Sequence, residues 1–458
     1  MRFTKEYDLS SLMISISGVR GKIGQGFGLE EALAFSKSFA SLMNGGTAVI
    51  GRDSRPSGPY LESLLTSALL ASGNSVLTLG LVPTPTTKAV VNLSKASGGI
   101  MISASHNPMD WNAFKFISKK GFFFSAEENK KLLSIIQDGS YAKEQISPKG
   151  YIDSGEDYID LHLSSVLKRV NVAKIKKKKF TVFVDAVGGA GSFVVPKFLQ
   201  MLGCKVVAHN CNPNGTFPRP PEPTAAALKS VEPYFKKSKA DIGFALDPDA
   251  DRLVLFSPKR GAVSEEYTLP LALMNVLSTA KKKAKVVVNL STSFLNEEVG
   301  SRFGAEVIRS KVGEANVVEE MTKTKAVFGG EGNGGVIDPN IPSFGRDTLS
   351  GIAHILNLMA ETGKSVDVLL DELPSLYMDK QSFPLASGMS LEILYQKFQS
   401  EFSPKVISEK DGLWMYVSDS WIHIRPSNTE PIFRVITETK SKSDLEATLK
   451  RVKQCVES

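Results

Sequence analysis

Short apolar runs, glycine turns and segments with helical spacing alternate through most of the chain. Positions 47–50 form an apolar run ahead of the turn Gly51-Arg52-Asp53-Ser54-Arg55-Pro56. The 61–71 segment then reads as a helix and 76–79 as a second strand. The same rhythm recurs at 179–185, which leads into Gly188-Gly189-Ala190-Gly191 and a helical 193–202. Segments 286–290 and 326–328 have the composition of further buried strands. Alternation of this kind predicts α/β layers with mainly parallel or mixed sheets. The C-terminal stretch reads differently: a helix over 391–402, strands at 414–417, 421–424 and 432–436, and a closing helix over 445–456. Strands joined by short loops predict a separate, smaller α+β domain there. Polar breaks divide the chain into 1–150, 151–257, 258–368 and 369–458, giving three successive mixed-sheet α/β domains before the α+β one.

Length agrees with several cores: 458 residues, at about 150 per domain, give roughly three. Composition is that of a globular protein, 42% apolar and 22% charged. No apolar run approaches the ~20 residues that span a bilayer. Lys5, Glu6 and Asp8 fall where a secretion signal needs its apolar stretch, so a cytoplasmic protein with no membrane partner is expected. Cys204, Cys211 and Cys455 lack metal-ligand spacing and read as reduced thiols. The net charge of +7 admits nucleic acid or an anionic small molecule as partner. The lysine runs at 176–179 and 281–283 carry no interleaved aromatics, so they read as solvated linker faces rather than a nucleic-acid surface.

Four loops carry the candidate chemistry. Ala104-Ser105-His106-Asn107-Pro108 follows an apolar segment, with Asn112 and Lys115 beyond it. Ser105 is a nucleophile if a base, metal or dipole activates it, and a turn-capping residue otherwise. Asp247-Pro248-Asp249-Ala250-Asp251-Arg252 lies between two apolar runs. Three carboxylates brought together repel unless a cation neutralises them, and Mg²⁺ prefers oxygen ligands and phosphate company. An EF-hand is excluded, because its glycine and glutamate positions hold Arg252 and Pro258. In Gly330-Glu331-Gly332-Asn333-Gly334-Gly335, glycines permit close approach while Glu331 and Asn333 offer partners for sugar hydroxyls. Arg425-Pro426-Ser427-Asn428-Thr429-Glu430, with Arg434 beyond, suits a dianionic phosphate.

These four motifs, in this order, resemble the α-D-phosphohexomutases, the family of phosphoglucomutases, phosphomannomutases and phosphoglucosamine mutases. Gly18-Val19-Arg20-Gly21, Gly51-Arg52-Asp53, Gly215-Thr216-Phe217-Pro218 and Pro221-Glu222-Pro223 extend the resemblance over nearly the whole chain. It implies four domains around a central cleft, each supplying one loop. It makes Ser105 the phosphate carrier, and Asp247, Asp249 and Asp251 the Mg²⁺ ligands, with the seryl phosphate completing the shell. Glu331 and Asn333 become sugar-reading residues, and Arg425, Ser427, Asn428 and Thr429 a phosphate clamp, with Arg434 a further substrate-binding residue. Arg20 and Lys115 sit beside the phosphate in this scheme, and Arg252 and Lys311, the latter in Lys311-Val312-Gly313-Glu314, contact substrate. The implied activity interconverts sugar monophosphates through a bisphosphate, with a hexose 1,6-bisphosphate as activator.

The chain departs from many bacterial relatives at Asn333, where they have serine, and at Gly335, where they have a histidine suited to proton transfer. His106 or Lys115 is then expected to handle the proton. A Glu-Gly-Asn-Gly-Gly loop resembles that of relatives classed as phosphoglucosamine mutases, which leans the expected substrate towards glucosamine phosphate over mannose or glucose phosphate. A phosphatase using the same serine and metal, a basic nucleic-acid-binding protein and a binder without catalysis are the rival readings.

Overall fold

The computed structural model describes residues 9, 11–15, 18–145, 149–385, 389–426 and 432–457. Its strands form four sheets. In the first, the order runs Met13–Ser15, Gly18–Ile23, Trp111–Ser118, Gly98–Ile102, Thr47–Arg52, Ser75–Leu81, Ile152–Ser154. Its faces separate by the two-residue period of a strand. Ala48, Ile50, Ile100 and Ile102 pack under helices Leu29–Met43 and Gly58–Ala71, while Val49 and Met101 face helix Thr84–Leu93 on the other side.

The second sheet runs Lys205–His209, Thr181–Asp185, Ile242–Leu246, Leu253–Ser257, Gly261–Ala262. The third runs Glu306–Ser310, Lys285–Asn289, Phe328–Glu331, Gly335–Ile337. One continuous apolar core serves both, and helices Thr268–Leu277 and Thr348–Thr362 run through it. The second of these is buried along almost its whole length, and Asp347 caps its start by accepting from the Leu349 and Ser350 amides. The fourth sheet is antiparallel throughout, Tyr377–Pro384, Ile432–Thr439, Ser420–Pro426, Leu413–Val417, Val406–Ser408, and packs on helices Leu391–Phe402 and Lys442–Glu457.

The first three sheets share a feature that positions the chemistry. In each, an inner strand with parallel neighbours is followed by an antiparallel one: Gly98–Ile102 by Trp111–Ser118, Ile242–Leu246 by Leu253–Ser257, and Phe328–Glu331 by Gly335–Ile337. The serine, aspartate and glycine loops are the three connections so formed. Three mixed-sheet α/β units and a smaller α+β unit thus match the expected fold class. The first sheet takes in Ile152–Ser154, which pairs with Ser75–Leu81, and the second reaches Gly261–Ala262. These two short edge strands lie a few residues past positions 150/151 and 257/258. Among the described residues, no helix is long and apolar enough to cross a membrane.

Candidate active site

Ser105 stands just beyond strand Gly98–Ile102 with φ 52°, a left-handed conformation uncommon outside glycine. The loop is held there by side chains. The Ser103 hydroxyl accepts from the Ser105 amide at 2.9 Å and donates to Asp53 at 2.6 Å. The fully buried Arg55 guanidinium pairs with Asp53 and donates to the carbonyls of Ser105 at 2.9 Å and Asn107 at 2.6 Å. A strained backbone conformation persists where neighbours over-determine it, as they do here.

The Ser105 hydroxyl lies 3.1 Å from Asp247 Oδ2, joining the first two loops. Asp247, Asp249 and Asp251 are all fully buried, and one carboxylate oxygen from each lies within 4.8 Å of the others. Asp247 Oδ1 accepts from the amides of Asp251 and Arg252, each at 3.1 Å. Asp249 Oδ2 accepts from Lys115 and Thr84, each at 2.5 Å. Burial, with its neighbours Asp249 and Asp251, pushes the Asp247 carboxyl well above its ordinary range, and burial also raises Asp251. Asp249 is held low instead: Lys115 and Thr84 outweigh its burial. Oδ1 of Asp249 and Oδ1 of Asp251 are buried without a partner. Three buried carboxylates this close together, two of them with an oxygen left without a partner, fit a hard divalent cation such as Mg²⁺.

Cations surround this cluster. Arg20 donates to Asn107 Oδ1 at 3.2 Å, and burial together with nearby Arg252 lowers its pKa. Arg252 reaches Glu222 at 2.6 Å and donates to His106 Nδ1 at 2.9 Å. That bond occupies the ring nitrogen nearest Ser105, which is 3.4 Å from its hydroxyl. With Arg252 beside it, burial around it and Arg20 close by, the imidazole is held neutral, its pKa lowered to about 2.

The glycine loop joins from the other side. Glu331 Oε1 accepts from Asn289 at 2.8 Å and the Gly313 amide at 2.9 Å, and Asn333 Oδ1 accepts from the Gly335 amide at 3.1 Å. Arg425 and Arg434 are directly opposed on adjacent strands of the fourth sheet. Facing like charges destabilise a strand pair, and Arg425 Nε is buried without a partner, so the pair is ready for an anion. Lys311 is exposed, one residue past strand Glu306–Ser310. Ser427, Asn428 and Thr429 lie outside the described residues.

Arg346 was not among the residues expected from the sequence. Its guanidinium reaches Asp251 at 2.6 Å, Glu331 at 3.1 Å and Glu314 at 3.4 Å, tying the aspartate loop to the glycine loop. Glu314 in turn pairs with the buried Lys88 of the first unit. Lys311-Val312-Gly313-Glu314 is the one signal in this region of the sequence, and nothing in its spacing reaches Lys88 or Arg346.

Comparison with known proteins agrees with this geometry. The phosphoglucomutase/phosphomannomutase models for α/β/α domains I, II and III match residues 13–143, 156–261 and 265–377, and that for the C-terminal domain matches 389–454. A phosphoglucomutase/phosphomannomutase of Thermococcus kodakarensis is 34% identical over 93% of this chain and 94% of its own. A phosphoglucosamine mutase of Methanococcus maripaludis is 32% identical over 96% of this chain and 97% of its own. A crystal structure of a phosphoglucomutase/phosphomannomutase family protein from Burkholderia thailandensis superposes with a TM-score of 0.83 at 25% identity, covering 97% of both chains. With its four units in order and its serine, aspartate and glycine loops in place, the chain belongs to the phosphoglucomutase/phosphomannomutase family of phosphohexomutases, which are isomerases.

Proposed function

We propose that this enzyme interconverts hexose 1-phosphate and hexose 6-phosphate through a phosphorylated Ser105, with glucosamine phosphate its preferred substrate. The observation that carries the reading is Ser105 Oγ at 3.1 Å from a buried carboxylate triad that also engages Lys115. Asp247, Asp249, Asp251 and the seryl phosphate would hold Mg²⁺, which when bound neutralises charge on a transferring phosphoryl group.

In the forward direction, the free hydroxyl of the sugar monophosphate bonds to the seryl phosphorus as the bond to the Ser105 oxygen breaks, and the proton the hydroxyl loses is balanced by the one the Ser105 oxygen gains. The bisphosphate turns over in the cleft, and Ser105 takes the other phosphate. Arg20 and Lys115 offset charge at the reacting phosphate, where preorganised cations do most. Arg425 and Arg434, with Ser427, Asn428 and Thr429, hold the phosphate that is not reacting. Glu331, Asn333 and Lys311 contact the sugar, and Arg252 steadies His106. While Arg252 holds His106 Nδ1, Lys115, a cation paired with Asp249, is the better placed of the two to give a proton to the departing Ser105 oxygen and then regain one from the attacking hydroxyl. A hexose 1,6-bisphosphate serves as activator by restoring phosphate to Ser105, and the protein works in the cytoplasm.

The glucosamine preference rests on the Methanococcus relative's name and on the Glu331-Gly332-Asn333-Gly334-Gly335 loop. Turnover of glucosamine, mannose and glucose 1-phosphates by one preparation tests it. The glucosamine substrate should give the highest kcat/KM; a higher value for either other sugar removes the preference. Free phosphate without any 6-phosphate would replace the mutase reading with a phosphatase.

A further inference from the structure

Away from the cleft, a cavity of about 900 Å³ opens between the second and third units. Two segments far apart in sequence bring cations to it. Lys168 and Arg169 follow helix Glu156–Leu167, and Lys281, Lys282 and Lys283 follow helix Thr268–Leu277. The third wall is the second half of helix Thr348–Thr362, with His354, Asn357 and Glu361.

The charge there is unbalanced. Glu361 is the one carboxylate lining the cavity among the described residues, and Lys174 already pairs with it at 2.5 Å. Arg169 is paired with the buried Asp338 at 2.8 Å. Lys168, Lys281, Lys282 and Lys283 make no ion pair among the described residues. Read as a sequence, 281–283 is a solvated lysine run. Those lysines are exposed, and together with the exposed Lys168 they rim one concavity. Like charges around one concavity repel one another until an anion enters, over a range that physiological salt limits to ~8 Å.

The walls are built rather than loose. Asn275 bridges His354 Nδ1 at 2.8 Å and Asn357 at 2.7 Å, and Asn357 accepts from the Asn171 amide at 2.9 Å. His354 Nε2 meets Asp338 at 3.2 Å. Val276 and Val327 add apolar surface. A single phosphate would leave most of this volume empty, while the volume falls within the usual range for small-molecule pockets.

We propose that this cavity binds a phosphorylated small molecule of nucleotide size, at a site separate from the catalytic cleft. Helix Thr348–Thr362 connects the two. Its first residue donates from Thr348 Oγ1 to the Ala250 carbonyl in the metal loop at 2.9 Å. Glu361 lies about 20 Å further along the axis at 1.5 Å per residue.

Titration calorimetry on the full chain, with the cleft first saturated by glucose 1,6-bisphosphate, tests the site using ATP and inorganic pyrophosphate as probes. ATP should bind at one equivalent per chain, and pyrophosphate more weakly by about tenfold or more for want of the organic part. The exposed pair Lys168→Glu and Lys282→Glu should weaken ATP by about tenfold or more while hexose phosphate turnover persists. Lys281→Gln with Lys283→Gln, a milder change, should weaken it in the same direction. Absence of saturable ATP binding, or binding that survives both sets of substitutions, overturns the proposal. Pyrophosphate binding as tight as ATP overturns the nucleotide-sized ligand.

Discussion

The side chain of Arg346 occupies the space that any side chain at Gly335 would need. A Cβ built on Gly335 would stand 2.3 Å from Arg346 Cδ and 2.7 Å from its Cγ. Gly335 is not in the left-handed region, so the reason for glycine here is room rather than backbone freedom. Next to it, Gly334 does have a positive φ, 84°, and backs directly onto the Leu253 carbonyl. Many bacterial relatives place a histidine where this chain has Gly335; here an arginine from a different loop enters the same space.

Gly335→Ala should therefore act through Arg346, pushing its guanidinium off Asp251 and Glu331. We expect kcat/KM to fall by about tenfold or more, each tenfold being ~1.4 kcal/mol, with the fold retained. Arg346→Ala should be more damaging, since it strips a partner from buried carboxylates, a change that costs about 3–5 kcal/mol. Urea unfolding and steady-state kinetics on both variants check the order.

Metal binding should register without any assay of turnover. A ligand that binds only the folded chain adds about 2.7 kcal/mol at one hundred times its Kd. Mg²⁺ should raise the melting temperature of the wild type and leave that of Asp247→Asn with Asp251→Asn unmoved. A chelator should abolish turnover and added Mg²⁺ restore it.

Arg425 and Arg434 face each other across two strands, and one anion relieves both. Arg425→Ala should raise KM for the sugar monophosphate by roughly tenfold to a hundredfold, the worth of a charged hydrogen bond. In the absence of ligand the same variant should melt no lower than the wild type, because it removes a repulsion.

Acid should loosen the contact between the third and fourth units through His423. Its Nε2–H donates to the Asp411 carbonyl at 2.6 Å, and its Nδ1 accepts from Ser291 at 2.8 Å. Burial is the main cause that lowers its pKa to about 4, from an ordinary value of 6.5. A lowered folded-state pKa means the stabilisation is complete above pH 6.5 and is lost as pH falls through about 4. The full loss is of order 3 kcal/mol. His423→Gln should flatten the fall in melting temperature between pH 6.5 and 4; an unchanged slope contradicts the assignment.

What could be read in advance depended on how far apart the partners lie along the chain. The strand runs and the helix over 391–402 were legible because their apolar spacing is local, and helix Leu391–Phe402 has those same bounds. The aspartate loop was legible because all three carboxylates sit within five residues of one another. Arg346 was not, because its partner Asp251 is 95 positions away and only folding brings them together. Lys88 and Glu314 are 226 apart, and neither has a neighbour in sequence that hints at the other. Arg55 escaped for a different reason. Its role is to hold backbone carbonyls of the serine loop, and carbonyls leave no mark on the sequence.

The role of Ser105 is tested most directly by intact mass of the purified chain after incubation with glucose 1,6-bisphosphate and Mg²⁺. The wild type should gain about 80 Da, one phosphate, with the fragment masses assigning it to Ser105, and Ser105→Ala should gain nothing. A Ser105→Ala chain that takes up the same mass and still turns over hexose phosphate would contradict a carrier at this position.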